Sequence, residues 1–307
     1  MSSLYERLFP RFRPKRELRP QGSGAGWGMR LRWLGTAGFV IETRETTLLV
    51  DPFLTRPSLR HVTRRIVPND ALIARYLPAK VDAVLCGHSH YDHVADAPRI
   101  ARLTKAKLVG SLSTCAWGRA EGLEEKDLVQ IPPAGAVVRV GDVEIRFVAS
   151  RHGKVAFGRV PFPGEVRMPP RRPGRIWHYR MGGAFGILLK TPGGTLYHNG
   201  SADLIDAELD GETADVLLAC LAGRRGTENY TSRLVSALAP KLVVPTHHDA
   251  FFAPLDRGLH LLPGIDVEGF VSEVFRTGRD TSVITPDYLE PICVPPSDAR
   301  GAVLCAD

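Results

Sequence analysis

The 307-residue chain has no run of eighteen or more apolar residues, so no segment is long enough to cross a bilayer as a helix. Its N-terminus, MSSLYERLFPRFRPKRELRPQGSGAGWG, has no apolar core of the kind a secretory signal requires. Cysteine is sparse. Cys86, Cys115, Cys220, Cys293 and Cys305 are scattered with no CxxC pair, which argues against a disulfide framework and against a thiolate zinc site. Free thiols in a reducing cytoplasm are the expectation. Cys86 lies two residues before His88, inside the apolar run AVLC, and is expected to be a small core residue. There is no internal repeat and no low-complexity tract.

What is present is an ordinary globular composition, 44% hydrophobic and 24% charged, with basic charge concentrated in two places. Residues 1–20 carry six basic side chains against Glu6 and Glu17, and residues 151–180 carry eight against Glu165 alone. Residues 1–28 read as a basic tail, a mobile or loosely packed arm. LYERLF within it could instead form a short amphipathic helix docking on the body or on a membrane. From residue 29 a single domain runs to residue 307. FVIET and TLLVD are strands, NDALIARYLPA a helix started by Asn69 or Asp70, and VDAVLCG a buried strand. A hairpin turns at Gly141-Asp142 and another at Pro192-Gly193-Gly194. KLVVPTHHD reads as the final strand. Strands and helices alternate in both halves, which predicts an α/β fold of two similar sheet-plus-helix halves. Residues 158–180, with five prolines and six arginines, break this rhythm as a long irregular insertion of the kind used for lids and binding loops.

The densest chemistry lies in VDAVLCGHSHYDHVADAP. His88, His90, Asp92 and His93 fall within six residues directly after an apolar strand. Neutral imidazole and carboxylate at this density suit zinc, iron or manganese. Strand alternation aims His88 and His90 to one side, and the next ligands, on the turn, can face a second ion.

HSHYDH resembles the H-x-H-x-D-H motif of the metallo-β-lactamase fold superfamily, hydrolases built as a four-layer αβ/βα sandwich. LRWLGTAGFVIETRETTLLVDP resembles that family's opening strands, ASRHG its third motif and LVVPTHHD its last. The branch resembled includes ascorbate-6-phosphate lactonase and N-acyl-phosphatidylethanolamine phospholipase D. The resemblance implies that His88, His90 and His152 hold one metal and that Asp92, His93 and His247 hold the other. It also implies two Zn2+, with Mn2+ or Fe2+ as alternatives, and a metal-activated hydroxide that Asp92 orients. His248 is expected to be a supporting or neutral neighbour, and His198 to orient rather than bind. One motif departs: LYHNGSAD has Ser201 where the family carries a bridging aspartate. Either Asp203 reaches in as the bridge on a shifted loop, or the bridge is missing. The expected activity is cleavage of an anionic, small or lipid-like ester, phosphodiester or lactone. Arg171, Arg172 and Arg175 would clamp the anion, and Trp177, His178 and Tyr179, with Tyr230 or Asn229 from the loop AGRRGTENYT, would contact substrate. A nuclease is the alternative, disfavoured because no basic stripe interleaved with aromatics is visible. A non-catalytic binding member of the fold is a third reading.

Overall fold

The computed structural model describes residues 4–14, 27–278, 280–295 and 303–304. The stretch 15–26 of the expected tail, and Cys305, lie outside the described residues. Two mixed sheets face each other. The first takes β1 (Met29–Gly35), β2 (Gly38–Glu42), β3 (Thr47–Val50), β4 (Ala83–Leu85), β5 (Lys107–Gly110) and β6 (Leu128–Gln130). The second takes β7 (Ala136–Val140), β8 (Val143–Ser150), β9 (Ala184–Thr191), β10 (Gly194–Asn199), β11 (Val216–Cys220), β12 (Leu242–Thr246) and β13 (Ser282–Val283). The chain then returns to the first sheet with β14 (Pro291–Val294) and β15 (Val303–Leu304). The strand orders are β15-β14-β1-β2-β3-β4-β5-β6 and β13-β12-β11-β10-β9-β8-β7.

Each sheet is antiparallel on one side and parallel on the other. β3 to β6 and β10 to β13 run parallel, and parallel strands require coverage on both faces. Helices supply it. On the outer face of the first sheet lie α2 (Asp70–Tyr76), α3 (Tyr91–Val94), α4 (Ala97–Thr104) and α5 (Leu112–Glu121). There Ile73, Val94, Ile100 and Trp117 pack on Val40, Leu49, Val84 and Leu108. On the outer face of the second, α6 (Tyr230–Leu238) and α7 (Val267–Thr277) bury Leu234, Leu238, Phe270 and Val274 against Leu188, Leu217 and Val243. Between the sheets, Leu31, Trp33, Phe39 and Leu85 meet Phe147, Ile187, Leu218 and Val244. The result is the α/β four-layer αβ/βα sandwich of the metallo-β-lactamase type.

Local signals set the boundaries. Asn69 caps α2 by accepting from Leu72 N (3.1 Å), and Ser111 caps α5 by accepting from Thr114 N (3.2 Å). The hairpin at Gly141-Asp142 closes β7 on β8 with Val140 opposite Val143.

Three expectations are corrected. KLVVPTHHD is not the last strand: α7 and β13 to β15 follow, and β14 lies antiparallel beside β1, with Met29 opposite Val294. Short strands with a proline give little periodicity to read. Cys293, on β14, is disulfide-bonded rather than a free thiol, whereas Cys86, Cys115 and Cys220 are free and buried. And residues 4–14 are not a loose arm. The helix α1 (Leu4–Leu8) leads into Phe9, which is 4% exposed. Phe12 N donates to Leu259 O (2.9 Å) and Leu261 N to Pro10 O (2.8 Å), so apolar side chains and backbone pairing dock the segment on the loop after β12. No helix among the described residues is long and apolar enough to cross a membrane.

Candidate metal centre

The candidate residues gather where strands of both sheets end. His88 and His90 occupy the loop leaving β4, and α3 begins at Tyr91 and carries Asp92 and His93. From the other sheet, His152 follows β8 and His247 follows β12. The structure brings these six side chains into two triplets, His88–His90–His152 and Asp92–His93–His247, with one ligand atom per residue lying within 4.8 Å of the others in its triplet. The triplets adjoin: the His88 and His93 ring centroids are 3.8 Å apart. All are buried except His152, which is half-buried.

Supporting bonds fix several rings. His90 Nε2 donates to the Pro161 carbonyl (2.8 Å) and His152 Nδ1 to the Gly153 carbonyl (2.7 Å), leaving the opposite nitrogen of each ring for a ligand. His93 Nδ1 lies 2.9 Å from Asp51 Oδ2, and Asp51 Oδ1 accepts from Gly87 N (2.8 Å). His247 Nε2 lies 3.2 Å from Asp92 Oδ2. A carboxylate behind a ligating imidazole orients it and raises its basicity. Asp51 belongs to the VDP that ends the opening strands, and nothing around it in the chain marks it for this role.

Burial favours the neutral imidazole at His88, His90 and His152. Burial, with the neighbouring imidazoles, pushes His88 well below the usual histidine range. Burial lowers His90 to about 3 and His152 to about 4. Burial acts on His93 in the same direction, but the Asp51 carboxylate outweighs it and holds that ring above its ordinary value. Burial alone would raise the Asp92 carboxyl. His247, His93 and His90 instead keep it well below the carboxylate range.

Do these residues fit a metal? Both nitrogens of His88, and His247 Nδ1, are buried without a hydrogen-bond partner. An orphaned buried polar atom costs about 1–3 kcal/mol, and imidazoles beside an ionised carboxylate are a fitting donor set for a divalent cation. The residues fit.

The other candidates are placed differently. Asp203 lies outside both triplets. Its Oδ1 accepts from Leu204 N (2.8 Å), and its carbonyl accepts from Ser150 Oγ (3.0 Å) and Asn199 Nδ2 (2.9 Å). Ser201 donates Oγ to Arg151 O (2.9 Å) and accepts Gly153 N at its carbonyl (2.6 Å), so it braces the loop that carries His152. His198 Nε2 donates to Ala37 O (2.8 Å). His248 is fully buried and stacks on Trp33 at 4.7 Å. Arg172 pairs with Glu121 (2.6 Å). Tyr179 stacks on Trp117 at 4.0 Å. Tyr230 is 2% exposed and donates to Asn199 Oδ1 (3.1 Å) beneath the second sheet's outer helices; a tyrosine opening a helix after a glycine-rich loop belongs to the core here. Asn229, before it, has φ 50°. His178 accepts from Arg175 N (3.2 Å) on the surface, and Arg171, Arg175 and Trp177 are exposed.

A four-layer sandwich with an H-x-H-x-D-H cluster at its strand ends defines a metal-dependent hydrolase of the metallo-β-lactamase type. The comparison with known proteins agrees. Residues 30–247 match the Beta-lactamase superfamily domain, and the chain belongs to that family. It is 28% identical over 228 residues to a UPF0173 metal-dependent hydrolase of Pyrobaculum arsenaticum, covering 73% of this chain and 85% of that one. To its counterpart in Anaeromyxobacter sp. (strain K) it is 30% identical over 229 residues, covering 71% and 74%. Among solved structures, the metallo hydrolase Igni18 of Ignicoccus hospitalis superposes with a TM-score of 0.57 at 19% identity, over 86% of this chain and 97% of that one.

Proposed function

We propose that this metal-dependent hydrolase holds two zinc ions, one in each triplet, and cleaves an ester-type bond (phosphodiester, carboxylic ester or lactone) in an anionic substrate. The paired triplets of buried ligand atoms carry the reading. Bound divalent ions supply Lewis acidity and a water acidified from about 15.7 toward about 7. Asp92, kept ionised by the imidazoles around it, would orient the attacking water and relay its proton toward the leaving oxygen. Asp51 holds the His93 ring in place from behind. The Pro161 carbonyl on His90 seats one end of the basic insertion against the cluster. Phe162, 6.4 Å from the His90 ring, and Phe251, 5.4 Å from the His247 ring, provide an apolar wall that excludes water. The exposed arginines of the insertion, with a formal net charge of +7 overall, favour an anionic substrate.

The test is metal content per chain together with turnover of a bis-aryl phosphodiester, an aryl ester and a lactone. Two ions and turnover of at least one substrate in wild type, with one ion and at least a hundredfold loss in His88→Ala, is the expected result. Retained turnover in His88→Ala, or in metal-stripped protein, would sink the proposal.

A further inference from the structure

Among the described residues, eleven non-glycine residues have positive φ, and four of them meet behind one triplet. They are Thr36 (53°), Asp51 (43°), Arg56 (39°) and His247 (52°). Left-handed backbone at such residues is strained and persists only where surrounding structure over-determines it. The bonds that do so form one network. His247 N donates to Thr36 O (2.7 Å), and Thr36 N donates to Asp249 Oδ1 (2.8 Å). Asp249 Oδ2 pairs closely with Arg56 Nη2 and accepts from Tyr288 OH (2.8 Å). Arg56 Nη1 reaches Tyr288 OH (3.2 Å) and Nη2 reaches Thr36 Oγ1 (3.4 Å). The Arg56 side chain is 1% exposed and that of Asp249 0%. Gly35 makes the space: a Cβ there would stand 1.9 Å from Arg56 Nη2.

An ion pair this deep is poor evidence for stability, because desolvation offsets its attraction. Its connections are what distinguish it. One end, Asp249, is two residues after His247 and holds, through Thr36, the carbonyl that His247 bonds. The other end, Arg56, closes the loop that begins at Asp51, whose middle is pinned where Asp96 accepts Leu54 N (2.6 Å) and Thr55 N (2.7 Å). Asp51 and His247 both serve the Asp92–His93–His247 triplet. In the other triplet, His90 and His152 have separate supports in the Pro161 and Gly153 carbonyls.

We infer that Arg56 and Asp249 are positioning residues for the Asp92–His93–His247 triplet, fixing the strained backbone that aims His247 and seats Asp51 behind His93. The inference rests on the two-ion reading above. The experiment is a Zn2+ titration of the metal-free chain against a chromophoric chelator. The event that His247→Ala abolishes marks this triplet. In Arg56→Met that event weakens by about tenfold or more, the scale of loss when a ligand's support is removed, while the other event changes less than about twofold. Arg56→Met/Asp249→Leu, which removes both charges, does not restore it. A general loss of stability would weaken both events alike, and that result, or no change in either, overturns the inference. If Arg56→Met fails to fold, Tyr288→Phe, which removes a single hydroxyl from the same network, is judged by the same split. Fewer than two events in wild type would remove the two-ion reading and this inference with it. Two events in wild type that both weaken would remove this inference alone.

Discussion

Arg172 separates a clamp from a girder. The sequence placed it in a basic insertion, beside Arg171, as a grip on an anionic substrate. In the structure its guanidinium lies 2.6 Å from Glu121 Oε2, with side chains only 12% and 9% exposed, and 6.0 Å over the Trp117 ring that stacks on Tyr179. Replacing Arg172 with alanine removes one partner of a buried pair, a change that typically costs about 3–5 kcal/mol. Glu121 keeps Arg99 (3.1 Å) and Arg102 (3.2 Å), so the carboxylate is not left alone and the cost falls to about 2 kcal/mol, including the lost ring contact. For a chain of this size that lowers Tm by about 3 °C. Arg171, exposed and adjacent to it in the chain, should stay within about 0.5 kcal/mol of wild type. Calorimetric unfolding of Arg172→Ala and Arg171→Ala, with KM for an anionic phosphodiester and a neutral ester, reads both quantities. An Arg172→Ala protein that melts with wild type but has a raised KM for the anion alone would refute this reasoning.

Two further outcomes follow from the site. Asp203→Ala should leave metal content unchanged by elemental analysis, because its carboxylate is already bonded to Leu204 N; a drop of one ion per chain would restore it as the bridge. Burial lowers His248 to about 4 in the folded chain against about 6.5 unfolded, so the unfolded state binds more protons between those values. The stability it contributes is present above about pH 6.5 and is lost as pH falls toward 4, by about 3 kcal/mol. In metal-free protein, His248→Phe should therefore give a shallower fall in Tm between pH 7 and 4.5, and an unchanged slope would count against it.

The cluster from His88 to His93 was legible because its spacing is local, in one turn after a strand. His152 and His247 came in only through the resemblance of ASRHG and LVVPTHHD to the family's later motifs. The supports were not legible. Asp51 and His93 are 42 residues apart, and Arg56 and Asp249 are 193 apart. Nothing in either neighbourhood marks a buried carboxylate seeking a partner. The insertion was visible as a break in rhythm, but which arginine faces Glu121 depends on α5 lying beneath it. β14 escaped notice because four residues including a proline carry almost no alternation. Ser201 was read as a departure from the family's bridging aspartate, while its role in bracing the His152 loop emerges only where the segment after β10 meets the segment after β8.

The pairing of β14 with β1 has a consequence for how the molecule is made. Met29 faces Val294, so β1 leaves the ribosome with one edge unsatisfied. At about 5–20 residues per second its neighbour arrives roughly 15–50 s later. Throughout that interval a hydrophobic strand presents open backbone donors and acceptors, the geometry that recruits strands from other chains. Yield in a rapid expression host should therefore depend on temperature and chaperone supply more than equilibrium stability alone suggests.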